Sequence, residues 1–308
     1  MNPAQHGFIK GKSCLSNLLR ALDEITDALD RGKEVRIGYL DFQKAFDSVN
    51  HRLLEVKIPA FGISPNIRRW INDFLRGRSF QVKVQEHLSL PATPSSGVPQ
   101  GTVLGPLLFI LYTNDIPVGL NSTCLMFADD VKLVSTVPGS SQLQRDLDQL
   151  KTWSETWDLP LNIAKCGILS TVNERPPSIG TNELPEHTTV RDLGVIMDSS
   201  FTPARQCAEA ANRARRALFV LKGAVSNRTP EVWIPLYCAY VRPHLEYCVQ
   251  AWSPYLKKDM AVLEKVQRMA TRWVTGLKGL TYAERLCKLG LFSLERRRLR
   301  VTLLKYIR

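Results

Sequence analysis

Leu18, Leu19, Leu22, Ile25 and Leu29 recur at steps of three and four, so residues 16–31 predict an amphipathic helix with one buried face. The rhythm then shortens. Residues 35–40 form a mostly apolar run of strand length, and two further runs, 123–126 and 131–134, flank Phe127-Ala128-Asp129-Asp130. Two such runs around an Asp-containing turn predict a hairpin. Helical spacing returns over 44–56, 66–76 and 142–157, the last after a Pro138-Gly139-Ser140-Ser141 loop. The apolar stretch over 102–112 predicts a buried helix, with Pro106 tolerated in its first turn. A short strand over 80–84 is expected to pair with 88–90. Residues 173–189, rich in Pro, Gly, Asn and Glu, read as a long surface connection, and a strand over 190–197 closes the first domain. Helices take over from about Pro203. In 257–275, Leu263, Val266, Ala270 and Trp273 share one face. Strands interleaved with packed helices, then helices alone, predict an α+β layer followed by a helical domain.

Three carboxylates give this layout a chemistry. Asp129 and Asp130 sit where the hairpin turns, and Asp41 closes the strand over 35–40. An Asp-Asp turn alone is ordinary turn chemistry, because Asp bonds its own backbone there. Asp41 as a partner changes the reading. Strand-end carboxylates suit a two-metal phosphoryl-transfer centre, in which two cations about 3.5–4 Å apart clamp the attacking and leaving oxygens. Magnesium takes oxygen ligands and keeps waters and substrate phosphates, so few protein ligands are needed. Between the two sites lies Ser96-Gly97-Val98-Pro99-Gln100-Gly101. Glycine there allows close backbone approach to a ligand, although a plain turn before a core helix reads equally well. The Gly-x4-Gly-Lys-Ser/Thr phosphate loop is absent.

Taken together the blocks resemble the reverse transcriptase of a non-LTR, LINE-type and jockey-like retrotransposon. The resemblance rests on Asp41-Phe42-Gln43-Lys44-Ala45-Phe46-Asp47, on 96–106 and on Phe127-Ala128-Asp129-Asp130, in that order. Weaker echoes are Gln5-His6-Gly7-Phe8 with Gly11-Lys12-Ser13, then 161–166, Leu193-Gly194-Val195 and 240–247. The fold it implies is α+β: a polymerase right-hand palm, an antiparallel sheet with packed helices, with residual fingers and then a helical thumb. Residues 1–34 would be fingers, 35–200 palm and 201–308 thumb. It implies that Asp41, the Phe42 carbonyl, Asp129 and Asp130 hold two Mg2+ ions. Phe46 would be a gate against the ribose 2′-hydroxyl, with Gln100 and Gly101 against the incoming deoxynucleoside triphosphate. Lys165 would protonate the leaving pyrophosphate, its alternative being a solvated strand-edge lysine. Leu193 and Gly194 would lie in the primer grip. Asp47 reads as a helix-start carboxylate favoured by the dipole, and His51 as packed or bonded near a helix start.

Charge agrees with that reading without establishing it. The net charge is +12, but residues 1–200 carry 20 Lys and Arg against 22 Asp and Glu, and 201–308 carry 21 against 7. A basic half points to a polyanion such as an RNA template and DNA primer. A membrane-surface helix would need a cleaner apolar face. Lys258, Lys265, Arg268 and Arg272 fall on one stripe, and the last helix ends in Arg296-Arg297-Arg298-Leu299-Arg300. These predict backbone contacts that position a duplex without reading its sequence. Seven cysteines without zinc spacing or a signal peptide suggest reduced thiols inside the cell, in nucleus or cytoplasm. No apolar run approaches the roughly 20 residues of a membrane span.

The resemblance also implies a fuller fingers region ahead of Gln5 and an endonuclease, neither of which the sequence carries. The chain therefore reads as a palm-plus-thumb fragment with an incomplete nucleotide lid, ending within a helical pattern. Two other readings stay open: a non-catalytic RNA-binding or splicing-type module, and an inactive product of a truncated element. The oligomeric state is left open as well.

Overall fold

The computed structural model describes residues 1–136, 141–172 and 174–306, with side chains through residue 300. Pro138, Gly139 and Ser140 of the expected loop, Asn173 and the last two residues lie outside the described residues. The chain divides into two compact units, Met1–Thr188 and Thr189–Arg308.

In the first unit, α1 (Cys14–Asp30) starts at a capping box. Ser13 Oγ accepts from the Ser16 N–H, and Ser16 Oγ accepts from the Ser13 N–H. Its inner face is Leu18, Ala21, Ile25 and Ala28. After β1 (Arg36–Leu40) a helix is expected over 44–56, but α2 spans only His51–Lys57. Lys44 takes the left-handed conformation (φ +44°), which no helix interior tolerates, and Asn50 then caps α2 by accepting from the N–H groups of Arg52 and Leu53. Phe46 and Asp47 therefore lie on turns. Asp47 precedes the cap and is no helix-start carboxylate; it accepts from Gln100 Nε2 instead (3.0 Å). His51 opens α2 with its Nε2 2.8 Å from the Gly97 carbonyl. α3 (Pro65–Leu75) follows, and β2 (Lys83–Val84) pairs with β3 (His87–Leu88) in a ribbon shorter than expected, with a single further bridge between Phe80 and Ala92.

α4 (Leu104–Tyr112) is the buried helix the apolar run predicts, and Leu108, Phe109 and Tyr112 are fully enclosed. Burying one such Phe side chain contributes roughly 2–3 kcal/mol. β4 (Thr123–Phe127) and β5 (Asp130–Ser135) form the hairpin, α5 (Ser141–Thr156) covers the sheet, and β6 (Gly167–Ser170) completes it. The sheet is antiparallel in the order β4-β5-β1-β6, so the β1 strand that leads to Asp41 lies beside β5. Residues 173–189 are not a plain surface connection. They contain the small hairpin of β7 (Ser178–Ile179) and β8 (Asn182–Glu183), and Ile179 and Leu184 are buried in the core. Gln144 on α5 bonds both backbone groups of Ser178, which gives a polar stretch a fixed seat.

The second unit opens with β9 (Thr189–Asp192) and β10 (Val195–Asp198), a hairpin where a single strand over 190–197 is expected. Leu193 (φ +45°) and Gly194 (φ +85°) make its turn. Then come α6 (Ala204–Ala224), α7 (Pro230–Leu236), a π-helical turn over Tyr237–Val241, α8 (Arg242–Glu246), α9 (Val249–Trp252), α10 (Lys257–Arg272), α11 (Tyr282–Lys288) and α12 (Leu294–Tyr306). α6 packs on α10 around Ala214, Leu218, Leu263, Val266 and Ala270. Trp233 donates from Nε1 to the Ala270 carbonyl (3.0 Å), and the Tyr237 hydroxyl donates to Gln267 (2.8 Å). In the arginine run of α12, Arg297 pairs with Glu246 and Arg298 is buried, which takes these two out of the duplex contacts expected of the run, whereas Arg296 and Arg300 are exposed.

Candidate active site

Strand register brings the carboxylates together. Leu40 is opposite Val131, so the next position along β1 places Asp41 beside Asp130. Phe127 and Asp130 close the hairpin as a cross-strand pair, leaving only Ala128 and Asp129 in the turn. Ala128 has φ +56°, a conformation that costs an L-residue about 1–2 kcal/mol. Asp41 is further fixed from behind: its N–H lies 3.5 Å from the buried Cys166 Sγ, and its carbonyl accepts from the Asn162 N–H (2.8 Å).

Electrostatics tie four of the expected residues into one group. Lys165, on the short 3-10 turn Ile163–Lys165, holds its ammonium 3.0 Å from Asp41 Oδ2. It is exposed, and the Asp41 carboxylate raises its pKa, with Asp129 and Asp130 adding to the effect. Burial pushes the Asp129 carboxyl above the usual range, the negative charge of Asp41 pushes it further, and Lys165 opposes this. Two carboxylates that repel each other at a sheet end favour a cation beside them. Asp41 Oδ2 is a buried oxygen, and the Lys165 ammonium is the cation beside it. The Phe42 ring is buried and lies against Trp153, which leaves only its backbone carbonyl for a cation. Among the described residues, no three Asp, Glu, His or Cys side chains converge into a ready ligand cluster. The donor set still fits a hard ion that draws most of its ligands from water and phosphate.

The residues expected to contact the nucleotide lie in the same unit. The Phe46 ring stacks on Phe109 (centroids 4.3 Å apart) and meets Phe8 edge-on (6.3 Å). Val98 N–H donates to the Phe46 carbonyl (2.8 Å), and Ser96 Oγ donates to that of Asp47 (2.8 Å), so the 96–101 loop lies along 46–49. Gln100 and Gly101 are exposed, and Gly101 has φ +77°. In the second unit, the Tyr247 hydroxyl donates to the Leu193 carbonyl (3.0 Å) at the hairpin turn. Lys258, Lys265, Arg268 and Arg272 are all exposed on α10, and Arg268 lies over the Tyr282 ring (4.3 Å). The contacts of Gln5, Phe8, Asp47, Cys166 and Tyr247 join residues far apart in sequence, and local pattern carries no signal for them.

Residues 1–197 match the model of the family "Reverse transcriptase (RNA-dependent DNA polymerase)". The chain belongs to the reverse transcriptase family. Among curated relatives, a probable RNA-directed DNA polymerase from transposon X-element of Drosophila melanogaster is 28% identical over 293 residues, covering 87% of this chain and 32% of the relative. The RNA-directed DNA polymerase from mobile element jockey of Drosophila funebris is 27% identical over 291 residues, covering 88% and 32%. These are polymerases of non-LTR retrotransposons, the group its motifs resemble. The reverse transcriptase chain spans about a third of the length of these relatives. Among solved structures, apo telomerase from Candida tropicalis superposes with a TM-score of 0.52 at 14% identity, covering 93% of this chain and 50% of that one. Telomerase from Candida albicans with a telomeric RNA fragment gives 0.51 at 12%, covering 94% and 56%. At such identities the likeness speaks for the fold: an α+β polymerase palm with a helical thumb. No helix among the described residues is long and apolar enough to cross a membrane.

Proposed function

We propose that this chain is an RNA-directed DNA polymerase, adding deoxynucleotides to the 3′-hydroxyl of a DNA primer paired with an RNA template. One observation carries the reading: adjacent antiparallel strands deliver Asp41 and Asp130 to the same sheet end, with Asp129 on the turn and Lys165 3.0 Å from Asp41. In the reaction the primer oxygen forms a bond to the α-phosphorus, and the bond to the bridging oxygen of pyrophosphate breaks. Two Mg2+ ions, held by Asp41, the Phe42 carbonyl, Asp129 and Asp130, would supply charge stabilisation for the attacking and leaving oxygens. Lys165, kept protonated by its carboxylate neighbours, is placed to give a proton to the departing pyrophosphate. Phe46, held between Phe109 and Phe8, would exclude a 2′-hydroxyl, while Gln100 and Gly101 line the nucleotide. Residues 1–34 would then be fingers, 35–200 palm and 201–308 thumb, although β9 and β10 cluster with the second unit. Leu193 and Gly194 would contact the primer, and the α10 stripe would grip the duplex backbone. These substrates place the reaction inside the cell, in nucleus or cytoplasm.

The test is deoxynucleotide addition to a DNA primer on an RNA template, with the same protein assayed in Mg2+ and after chelation. Extension that needs the metal and favours deoxynucleotides over ribonucleotides is the expected result. Tight binding of the template with no extension at any metal concentration would favour a non-catalytic RNA-binding module.

A further inference from the structure

The segment Ala4–Phe8 runs along the outer edge of β4, the edge strand of the sheet. His6 N–H donates to the Met126 carbonyl (2.8 Å), Met126 N–H donates to the Ala4 carbonyl (2.9 Å), and Asn17 Nδ2 donates to the same Met126 oxygen (3.0 Å). Gln5 itself is only 2% exposed, and its side-chain amide is spent on the catalytic turn. Gln5 Oε1 accepts from the Ala128 N–H (2.9 Å) and from the Gly7 N–H (2.7 Å), while Gln5 Nε2 donates to the Ala128 carbonyl (3.2 Å). Both backbone groups of the one left-handed residue in the turn are therefore read by a single side chain 123 positions away. Gly7 makes this possible, since a Cβ there would stand 2.4 Å from the Ala128 nitrogen.

We infer that Gln5 is a positioning residue for the reaction: it holds Ala128 in its left-handed conformation and so aims Asp129 and Asp130. The argument rests on the polymerase reading above and goes beyond it. A two-residue hairpin turn normally relies on Gly, Asn or Asp where φ is positive. Here the first turn position is Ala and the second is Asp129, so the turn's own residues do not secure its shape. The buried amide of Gln5 supplies what they lack, and it does so from a segment that itself holds no acidic residue. An aligned carboxylate matters more to turnover than to nucleotide affinity, because misplacement by even an ångström is costly in the transition state.

The test compares the unaltered chain with Gln5→Met, which keeps the side-chain volume and loses all three bonds, and with Gln5→Glu, which keeps an acceptor for the two N–H groups. Primer extension is measured for kcat and nucleotide KM, and amide hydrogen exchange is followed over 127–130 and over the remaining sheet. We expect Gln5→Met to lower kcat at least tenfold with KM within twofold, Gln5→Glu to fall between it and the unaltered chain, and exchange to quicken at 127–130 alone. An unchanged kcat in Gln5→Met overturns the inference, as does a rise in KM with kcat preserved. Should Gln5→Met lose protection throughout the sheet, the Gln5→Glu variant decides, and full turnover there with no quickening of exchange at 127–130 would equally count against it. No extension by the unaltered chain would reject the polymerase reading instead. Exchange at 127–130 then judges the clamp alone, and an unaltered rate in Gln5→Met would overturn that too.

Discussion

Two hairpin turns in this molecule solve the same backbone problem with different means. β4–β5 turns through Ala128-Asp129 and β9–β10 through Leu193-Gly194, and in both a residue with a side chain takes positive φ. The second turn has Gly194 beside it, in a conformation glycine adopts without strain, and its Leu193 carbonyl accepts an outside bond from the half-exposed Tyr247 hydroxyl. The first has no glycine: its left-handed position is Ala128, followed by the Asp129 of the proposed chemistry. Its shape is set from outside by a buried amide making three hydrogen bonds. The lesson is that a turn carrying reactive groups gives up its own best turn residues and draws its rigidity from elsewhere in the fold.

That contrast can be broken at several points. Gly7→Ala should have the largest effect on the first turn. The added Cβ would meet backbone at 2.4 Å, so the segment must lift, with an expected loss of about 2–3 kcal/mol of stability and a fall in turnover. Urea unfolding with parallel primer extension reads both. Gly194→Ala puts a side chain at φ +85° and 3.2 Å from the Tyr247 ring, and should destabilise the second unit by about 1–2 kcal/mol in the same unfolding measurement. Ala128→Gly sharpens the comparison in the opposite direction. It relieves the left-handed cost and should change stability by less than about 1 kcal/mol, while shrinking the turnover defect of Gln5→Met in the double variant.

A further expected effect is a pH dependence of the Ala4–Phe8 segment. Burial, together with the positive charges of Lys12 and Lys132, lowers the His6 pKa to about 4 from an ordinary value near 6.5. The unfolded chain binds a proton there that the folded chain refuses, so this contribution is full above about pH 6.5 and is lost as pH falls toward 4. Thermal melts of the unaltered chain should drop across that window, and His6→Asn should flatten the drop.

Much of this architecture was legible in the sequence, and the exceptions share a cause. The helix at α1 and the buried helix at α4 follow their apolar periodicity, and the three carboxylate positions follow from strand ends and a turn. The helix expected over 44–56 loses its first half to a left-handed Lys44 that no propensity foretells. The connection over 173–189 hides Ile179 and Leu184 in a polar stretch, where two isolated apolar residues give no period. Arg297 reads as part of a duplex-contacting run until Glu246, 51 residues earlier, supplies a partner. The role of Gln5 depends on a partner 123 residues on. Local pattern names the elements and the chemistry, whereas long-range polar contacts decide how the site is held.

The most direct test of the account is single-turnover primer extension by the unaltered chain and by Asp129→Asn, with affinity for the primer–template duplex measured on the same samples. The account predicts at least a thousandfold loss of extension in Asp129→Asn with duplex affinity unchanged. It also predicts a higher melting temperature without metal at neutral pH, since a partly buried charge that the fold disfavours is gone. Extension by Asp129→Asn at the rate of the unaltered chain would contradict the assignment of this turn as the catalytic one.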